Sequence, residues 1–204
     1  MKKAYIFGGG IYGNEFPSIS ENDFVIAADR GFEILKNKGM CPDITVGDFD
    51  SSSEIPEENV LRLPVEKDVT DTFAAVETAL EKGADEIHIY GGMGGRPDHT
   101  FANYALICSL AQKGTGVFLY GEGYEITAVC DTSLKLCGKK GETVSVFSFT
   151  EKSEGVTLKG LKYPLENATL SNTFPLGVSN SFEEETAFIS VKNGTLLVMC
   201  ERKY

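Results

Sequence analysis

Three acidic segments and one glycine-arginine loop occupy matching places in the first half of the chain, each where a short apolar run ends. They are Ala28–Gly31 (ADRG), Gly47–Ser51 (GDFDS), Glu66–Asp71 (EKDVTD) and Gly91–His99 (GGMGGRPDH). In an open α/β sheet, the points where parallel strands end lie along one crevice, and ligands bind there. Carboxylates gathered there with an arginine and a lysine predict a divalent metal, a phosphate and phosphoryl-group chemistry.

Asp48 and Asp50 are two residues apart. In an extended chain alternate side chains point the same way, so both carboxylates can face one ion. Mg²⁺ takes oxygen ligands and usually shares them with substrate phosphates. A loop in which aspartates supply turn hydrogen bonds is the alternative, and this pair alone would favour that alternative.

Asp68, Thr70 and Asp71 precede a predicted helix that starts near residue 71. Thr70 or Asp71 can act as its N-cap, which is the structural alternative for this segment. The positive end of a helix also attracts phosphate, and Lys67 lies beside it. We favour the phosphate role for this segment.

The loop Gly91–His99 follows a predicted strand and opens a predicted helix. Its glycines permit close approach of the backbone to a ligand, and Arg96 can grip phosphate oxygens with a planar pair of donors. The structural alternative for Asp98 is that it is only the N-cap of the helix, and for His99 that it is a capping or core histidine. The pattern is neither a phosphate loop nor a dinucleotide fingerprint. The triplet Gly8–Gly10 after the first strand is a weaker signal, more typical of a tight turn.

Other candidates carry weaker signals. Asp29 can join the metal cluster or accept a hydrogen bond from a ribose, or it can form a surface pair with Arg30. In the second half, Gly160–Leu165 and Gly177–Ser181 offer polar groups near an aromatic ring. They suit a polar heterocycle or an ordinary sandwich turn, and the residues alone leave both open.

The pattern of apolar residues changes near Gly121–Gly123. Before it, apolar strands alternate with helical patterns, which predicts a mostly parallel sheet flanked by helices over residues 1–123. After it, short apolar runs predict an antiparallel β-sandwich over residues 124–204. Asn193-Gly194 between two such runs predicts a hairpin with a type I′ turn. The fold class is therefore α/β with a C-terminal antiparallel sandwich.

Composition excludes several classes of protein. The chain has 204 residues, 42% of them hydrophobic, with 30 acidic against 19 basic residues and a net charge of −11. This balance argues against binding to nucleic acid or anionic membranes. The five cysteines show no C-x-x-C spacing, and neither a signal peptide nor a membrane-spanning run is evident. We expect a cytoplasmic protein.

The acidic segments resemble those of the thiamine pyrophosphokinase family. That family shows a [CA]-A-D-x-G element, a G-D-[FL]-D-S element, a D-x-T-D element and G-G-R-x-D-H followed by an asparagine. Here the matching positions are Ala28–Gly31, Gly47–Ser51, Asp68–Asp71, and Gly94–His99 with Asn103. The late family elements G-L-[KR]-[WY]-x-L and S-N match Gly160–Leu165 and Ser179-Asn180. The resemblance covers nearly the whole chain in order.

The resemblance implies a reaction in which the pyrophosphoryl group of ATP moves to the hydroxyl of thiamine, giving thiamine diphosphate and AMP. It also implies a homodimer with thiamine bound where the subunits meet. The implied roles fall into four sets: Mg²⁺ ligands at Asp48, Asp50 and Asp71; phosphate contacts at Lys67 and Arg96; nucleotide contacts at Asp29, Arg30, Asp68, Thr70, Asp98, His99 and Asn103; and thiamine contacts at Tyr163, Ser179 and Asn180.

Several alternatives remain open at this point. Asp71 can be a metal ligand or the base that takes the hydroxyl proton. Many family members have Trp at the position of Tyr163 and Glu at the position of Ser181. The rival functions are pyrophosphate transfer to another heterocyclic alcohol, such as a hydroxymethylpterin, and a non-catalytic sensor of thiamine or nucleotide. The thiamine-like late elements argue against the first rival, and the full set of acids argues against the second.

Overall fold

The computed structural model describes residues 2–13, 16–49, 58–64 and 68–202. The chain divides into two compact units. The first comprises Met1–Leu106 and Thr115–Glu122, and the second comprises Ile107–Gly114 and Gly123–Tyr204. Two predicted site residues, Asp50 and Lys67, lie outside the described residues.

Strands and helices alternate along the first unit. Its elements are β1 (Lys3–Phe7), β2 (Phe24–Ala28), α1 (Gly31–Asn37), β3 (Ile44–Gly47), β4 (Val60–Arg62), α2 (Asp71–Glu81), β5 (Glu86–Tyr90), the start of α3 (Pro97–Gln112), and β6 (Gly116–Gly121). The strands pair in the order β6-β5-β1-β2-β3-β4, and every pairing in this series is parallel. The predicted α/β class is confirmed.

The central strands of this sheet are buried on both faces. β1 and β2 carry four successive buried residues each, the continuous apolar run expected of a covered parallel strand. One face contributes Tyr5, Phe7 and Val25 to a cluster with Leu35 of α1. α2 packs on β1, β2 and β3 through a buried small-residue face that includes Ala75, Val76 and Ala79.

Two helices end where the sequence predicts. Gly83 follows α2 with φ of +78°, and Gly114 follows α3 with φ of +81°. Both amide groups donate back to a carbonyl oxygen three residues earlier, and only glycine adopts this left-handed φ without strain. None of the helices in the described ranges has both the length and the apolar content required to cross a membrane.

The second unit contains two antiparallel sheets. Its strands are β7 (Tyr124–Cys130), β8 (Ser133–Cys137), β9 (Thr143–Ser148), β10 (Lys152–Lys159), β11 (Leu165–Ser171), β12 (Asn180–Ser181), β13 (Thr186–Ser190) and β14 (Thr195–Glu201). One series runs β12-β9-β14-β7 and the other β11-β10-β13-β8. Residues from both, including Val146, Leu158, Phe182, Ile189 and Val198, form one buried apolar cluster.

The predicted hairpin at Asn193-Gly194 is wrong. β13 pairs with β8 and β10, whereas β14 pairs with β7 and β9, so the two strands belong to different sheets. Gly194 has φ of +119°, and Asn193 is not in the left-handed region that a type I′ turn requires. The Gly194 amide donates to Asp131 Oδ1 at 2.7 Å. The Asn-Gly pair therefore carries the chain from one sheet to the other.

Candidate functional site

The segments that follow four adjacent parallel strands of the first unit meet at one cavity. Gly8 follows β1, Asp29 follows β2, Asp48 follows β3 and Gly91 follows β5, and these strands are neighbours in the order β5-β1-β2-β3. The cavity measures about 590 Å³ and is lined by residues 8–11, 28–30, 48, 70–72, 91–96, 99 and 103. Its position is the carboxyl edge at which open α/β sheets bind ligands.

Most of the described residues that the sequence predicts for nucleotide and metal lie at this cavity. They are Asp29, Arg30, Asp48, Thr70, Asp71, Arg96, His99 and Asn103. Asp68 and Asp98 are exposed and are not among the lining residues. These residues, which are spread from Asp29 to Asn103 in the sequence, therefore converge through the sheet topology.

Three half-buried carboxylates, those of Asp29, Asp48 and Asp71, face this cavity. Within the described ranges, no three His, Cys, Asp or Glu side chains are grouped closely enough to hold a metal ion by themselves. Oxygen donors fit a hard divalent cation, and Mg²⁺ is commonly held by one or two carboxylates together with substrate phosphates. The donor set fits such shared coordination.

Asp29 has an unusual backbone conformation. Its φ is +49°, in the left-handed region that non-glycine residues rarely occupy, and its amide donates to Val46 O at 2.9 Å. The neighbouring strand supplies Gly47, where a Cβ atom would lie 3.2 Å from the Asp29 Cα atom. Such backbone strain costs about 1–3 kcal/mol and concentrates at functional sites. The strained residue lies between the end of β2 and the start of α1, where the chain turns beside the cavity.

Thr70 is the N-cap of α2. Its backbone is extended, and its hydroxyl accepts a hydrogen bond from the Phe73 amide at 3.2 Å. Asp71 is the first residue of the helix, and Thr70, Asp71 and Thr72 all line the cavity. The capping role and the site role thus coexist, because the capped helix presents its positive end to the cavity.

The glycine-rich loop before α3 is fixed by a buried side chain. Asn103 is 4% exposed, and its Nδ2 donates to Gly92 O at 2.7 Å. Gly94 and Gly95 have φ of +80° and +79°, conformations that a side chain would strain. Asn103 therefore supports the loop from within α3 in addition to lining the cavity.

Arg96 extends its guanidinium to an exposed carboxylate. Its Nε donates to Asp98 Oδ1 at 3.2 Å and its Nη2 donates to Asp98 Oδ2 at 2.6 Å. These hydrogen bonds hold the pKa of Asp98 below its usual range and raise the pKa of Arg96. The planar fork is thus already arranged around two oxygens of an anion, the geometry in which it would grip a phosphate.

In the second unit, the residues predicted to contact thiamine are close neighbours. Tyr163 N donates to Asn180 Oδ1 at 2.9 Å, and Asn180 Nδ2 donates to Tyr163 O at 2.7 Å. Asn180 is 4% exposed, whereas Tyr163 is 59% exposed, with the Lys162 Nζ atom 5.4 Å from its ring centroid. Ser179 is exposed, has φ of +58°, and donates its amide to Ser145 Oγ. Asn180 thus holds the Tyr163 backbone and leaves the ring open.

Family models match two successive regions of the chain. Residues 17–119 match the thiamin pyrophosphokinase catalytic domain, and residues 131–196 match the thiamin pyrophosphokinase vitamin B1 binding domain. The chain belongs to the thiamin pyrophosphokinase family. The predicted family is therefore confirmed.

Individual thiamin pyrophosphokinases are similar over the whole chain. A curated thiamine pyrophosphokinase of Bacillus subtilis is 29% identical, with 98% of each chain covered. A crystal structure of the Bacillus subtilis enzyme aligns over 100% of both chains with a TM-score of 0.87 and 27% identity. A family protein from Enterococcus faecalis aligns over 100% of both chains with a TM-score of 0.83 and 28% identity.

Sequence reasoning gave too little weight to several cavity residues of this thiamin pyrophosphokinase fold. Gly8–Gly10 were predicted as a tight turn, and Ile11, Thr72 and Met93 were not singled out, yet all line the cavity. The usable signal was the glycine triplet directly after β1. A Cβ atom on Gly10 would lie 2.5 Å from both Gly91 O and Met93 O, so this position excludes any side chain.

Proposed function

We propose that the cavity at the carboxyl edge of the parallel sheet binds ATP and is where this enzyme transfers the pyrophosphoryl group to the hydroxyl of thiamine. The activity follows from family membership: the chain carries out ATP-dependent pyrophosphorylation of thiamine. One observation supports the site assignment: Asp29, Asp48, Asp71 and Arg96 all line one cavity, together with several glycines. The pterin enzyme and the sensor are not favoured.

The phosphates are bound by cationic and backbone groups in this proposal. The guanidinium of Arg96, at the entry to α3, exchanges its Asp98 partner for phosphate oxygens. The N-terminus of α2 adds its positive end next to Thr70. We assign a further positive charge at the phosphates to Lys67, a residue that the structure does not describe. These groups offset the polyphosphate charge in a chain whose net charge is −11.

Magnesium is the divalent ion we assign to the site. ATP-dependent kinases generally require a divalent metal, and the hard oxygen donors of Asp48 and Asp71 suit Mg²⁺. Asp50, two residues after Asp48, completes the proposed set, and Asp29 lies at the same cavity. When bound, the ion neutralises charge on the phosphate oxygens.

The reaction needs few covalent steps from the protein. The thiamine hydroxyl oxygen forms a bond to the β-phosphorus of ATP. The bond from that phosphorus to the oxygen that bridges the α- and β-phosphates breaks, so AMP leaves with that oxygen. The hydroxyl proton passes to a carboxylate, for which Asp71 is our candidate when it is not engaged as a ligand. Positioning and charge neutralisation supply most of the catalysis in such transfers.

We assign thiamine recognition to Tyr163, Ser179 and Asn180 of a second copy of the chain, in a homodimer. The exposed ring of Tyr163 suits the flat pyrimidine or the thiazolium cation, an interaction of about 0.5–2 kcal/mol. Phe174 and Leu176, just before Ser179, are 65% and 50% exposed. Clustered exposed apolar side chains are typical of protein interfaces, which supports subunit contact here.

We also propose that the N-terminal and C-terminal regions of the chain have different functions. Residues 1–123 form the catalytic domain, and residues 124–204 bind thiamine and form the dimer. A cytoplasmic location is proposed because all five cysteines are free thiols, a state that a reducing compartment preserves.

Nucleotide product analysis tests the proposed function. The enzyme, ATP and Mg²⁺ are incubated with thiamine, with a hydroxymethylpterin, or with no acceptor. AMP, ADP and thiamine diphosphate are then measured, and nucleotide binding is measured separately by calorimetry. We expect AMP, equal in amount to thiamine diphosphate, only with thiamine. AMP formed only with the pterin would support the rival enzyme, and nucleotide binding without AMP from any acceptor would support a sensor.

A further inference from the structure

Two glycine segments form one tightly packed wall of the nucleotide cavity. The amide of Gly8 donates to Tyr90 O, that of Gly10 to Gly91 O and that of Ile11 to Met93 O, each at 2.8 Å. These bonds continue the pairing of β1 with β5 beyond the ends of both strands. These three amides already donate hydrogen bonds to carbonyl oxygens within the wall. The position of the wall therefore depends on the other contacts that its peptide groups make.

Tyr12 contacts both glycine segments at one point. Its hydroxyl donates to Gly8 O at 2.6 Å. A Cβ atom on Gly91 would lie 2.6 Å from Tyr12 Cε2 and 2.7 Å from Gly8 O, so ring, carbonyl and Gly91 Cα are closely packed together. Gly91 has φ of +65°, which glycine alone adopts without strain.

The surroundings of Tyr12 keep its hydroxyl a donor. Burial raises the pKa of Tyr12 above its usual value, so the phenol remains protonated across the working range of pH. The ring also stacks near Phe16, with centroids 6.4 Å apart, which limits its movement. Tyr12 is therefore a hydrogen-bond donor that contacts the glycine segments without being one of the residues that line the cavity.

We propose that Tyr12 is a positioning residue for nucleotide binding, which locks the Gly8–Gly10 and Gly91–Met93 segments in the arrangement that accepts the phosphates. The inference rests on one part of the proposed function, namely that ATP binds in this cavity. The mechanism is electrostatic as well as steric. With its hydrogen bond made, the Gly8 carbonyl oxygen is held toward Tyr12, whereas a released carbonyl could turn its negative end toward the polyphosphate and repel it.

The test compares Tyr12→Phe with Tyr120→Phe. Tyr120 lies on β6 of the same unit, and its hydroxyl is 3.0 Å from His88 Nδ1, so Tyr120→Phe also removes one tyrosine hydroxyl hydrogen bond. Binding of a non-hydrolysable ATP analogue with Mg²⁺ is measured by calorimetry, with melting temperature and the KM for thiamine as further measurements. We expect Tyr12→Phe to weaken analogue binding about three- to tenfold, the scale of one hydrogen bond, with KM for thiamine unchanged.

The outcomes separate this inference from the proposed function. Analogue affinity lost in Tyr12→Phe but kept in Tyr120→Phe, at similar melting temperatures, supports the positioning role. Equal affinity in wild type and Tyr12→Phe overturns it, as does a loss that both variants share. If the wild type binds no analogue, both the nucleotide site and the role of Tyr12 are wrong. If it binds the analogue but makes no AMP with thiamine, only the proposed function fails.

Discussion

The proposed nucleotide side, in the first unit, and the proposed thiamine side, in the second unit, are built differently. In the first unit, side chains from strand ends and helix starts line a cavity of about 590 Å³ that one chain supplies. In the second unit, Tyr163 and Ser179 lie on an exposed surface, and the buried amide of Asn180 is engaged by the Tyr163 backbone. A cavity can enclose the phosphates, whereas a single exposed ring cannot enclose a substrate.

The two substrates would therefore obtain their binding energy from different kinds of contact. In our proposal, the phosphates are bound by charged side chains, a helix N-terminus and glycine backbone, all within the first unit. The proposed thiamine side offers one aromatic face and a positioned loop, so in this proposal a second surface is needed to bury thiamine. Variants on the two sides should therefore affect different kinetic constants.

The largest effect is expected from Asp71→Asn. The substitution keeps the shape of the side chain at the start of α2 but removes the charge that a hard cation or a migrating proton requires. We expect kcat to fall at least about a hundredfold, which is about 3 kcal/mol, at saturating Mg²⁺. Steady-state AMP formation is the measurement, and Asp48→Asn should behave similarly.

Glu81→Gln is the matched control for Asp71→Asn. Glu81 is exposed at the other end of the same helix, so this substitution removes one negative charge from α2 without touching the cavity. Its kcat should equal that of the wild type. Near-wild-type turnover in both Asp48→Asn and Asp71→Asn would show that the metal assignment is wrong.

An intermediate effect is expected from Arg96→Lys. Lysine keeps the charge but lacks the planar fork that contacts both oxygens of Asp98 in this structure. We expect kcat/KM for ATP to fall about tenfold or more, equal to about 1.4 kcal/mol of transition-state binding. A fully active Arg96→Lys enzyme would identify Arg96 as a structural residue that only pairs with Asp98.

The smallest effects are expected on the thiamine side. Tyr163→Ala and Asn180→Ala should each raise the Kd for thiamine about tenfold, the scale of one lost contact, with ATP affinity nearly unchanged. Calorimetry with thiamine and with the ATP analogue measures both constants. Phe188→Ala, which removes an exposed aromatic ring from β13, is the control and should change neither.

The double variant Tyr163→Ala, Asn180→Ala sharpens this prediction. If Asn180 acts by holding the Tyr163 backbone, its effect should largely disappear once the ring is absent, because the two losses are coupled. If Asn180 contacts thiamine directly, the two losses should add. Equal loss of thiamine and nucleotide affinity in both single variants would instead mean that these residues only support the fold.

The sequence was most informative where chemistry and topology coincide. Asp29, Asp48 and Gly91 each follow an apolar run, and the rule that ligands bind at strand ends predicts that they lie at one crevice. The start of α2 could also be predicted, since Thr70 has a side chain of the kind favoured at the N-cap position. In the first unit, the local sequence pattern and the rules of parallel topology were sufficient to predict where these residues lie.

The sequence was least informative where a residue's partner is distant along the chain. Asn193-Gly194 has the local signature of a hairpin, but the sandwich assigns the flanking strands to different sheets. β12 has only two residues, too few for any periodic pattern. The use of the Asn180 amide by Tyr163, 17 positions earlier, depends on tertiary packing that propensity cannot encode.

Mixing two impaired variants tests whether one chain's cavity works with the partner's thiamine surface. Asp71→Asn and Tyr163→Ala chains are mixed, allowed to exchange subunits, and assayed for AMP at low thiamine. In a shared site, each mixed dimer keeps one fully wild-type site, so activity should recover to about a quarter of wild type with statistical exchange. If exchange is demonstrated and activity stays at the level of the unmixed variants, thiamine and ATP are bound by the same chain and the proposed shared site is wrong.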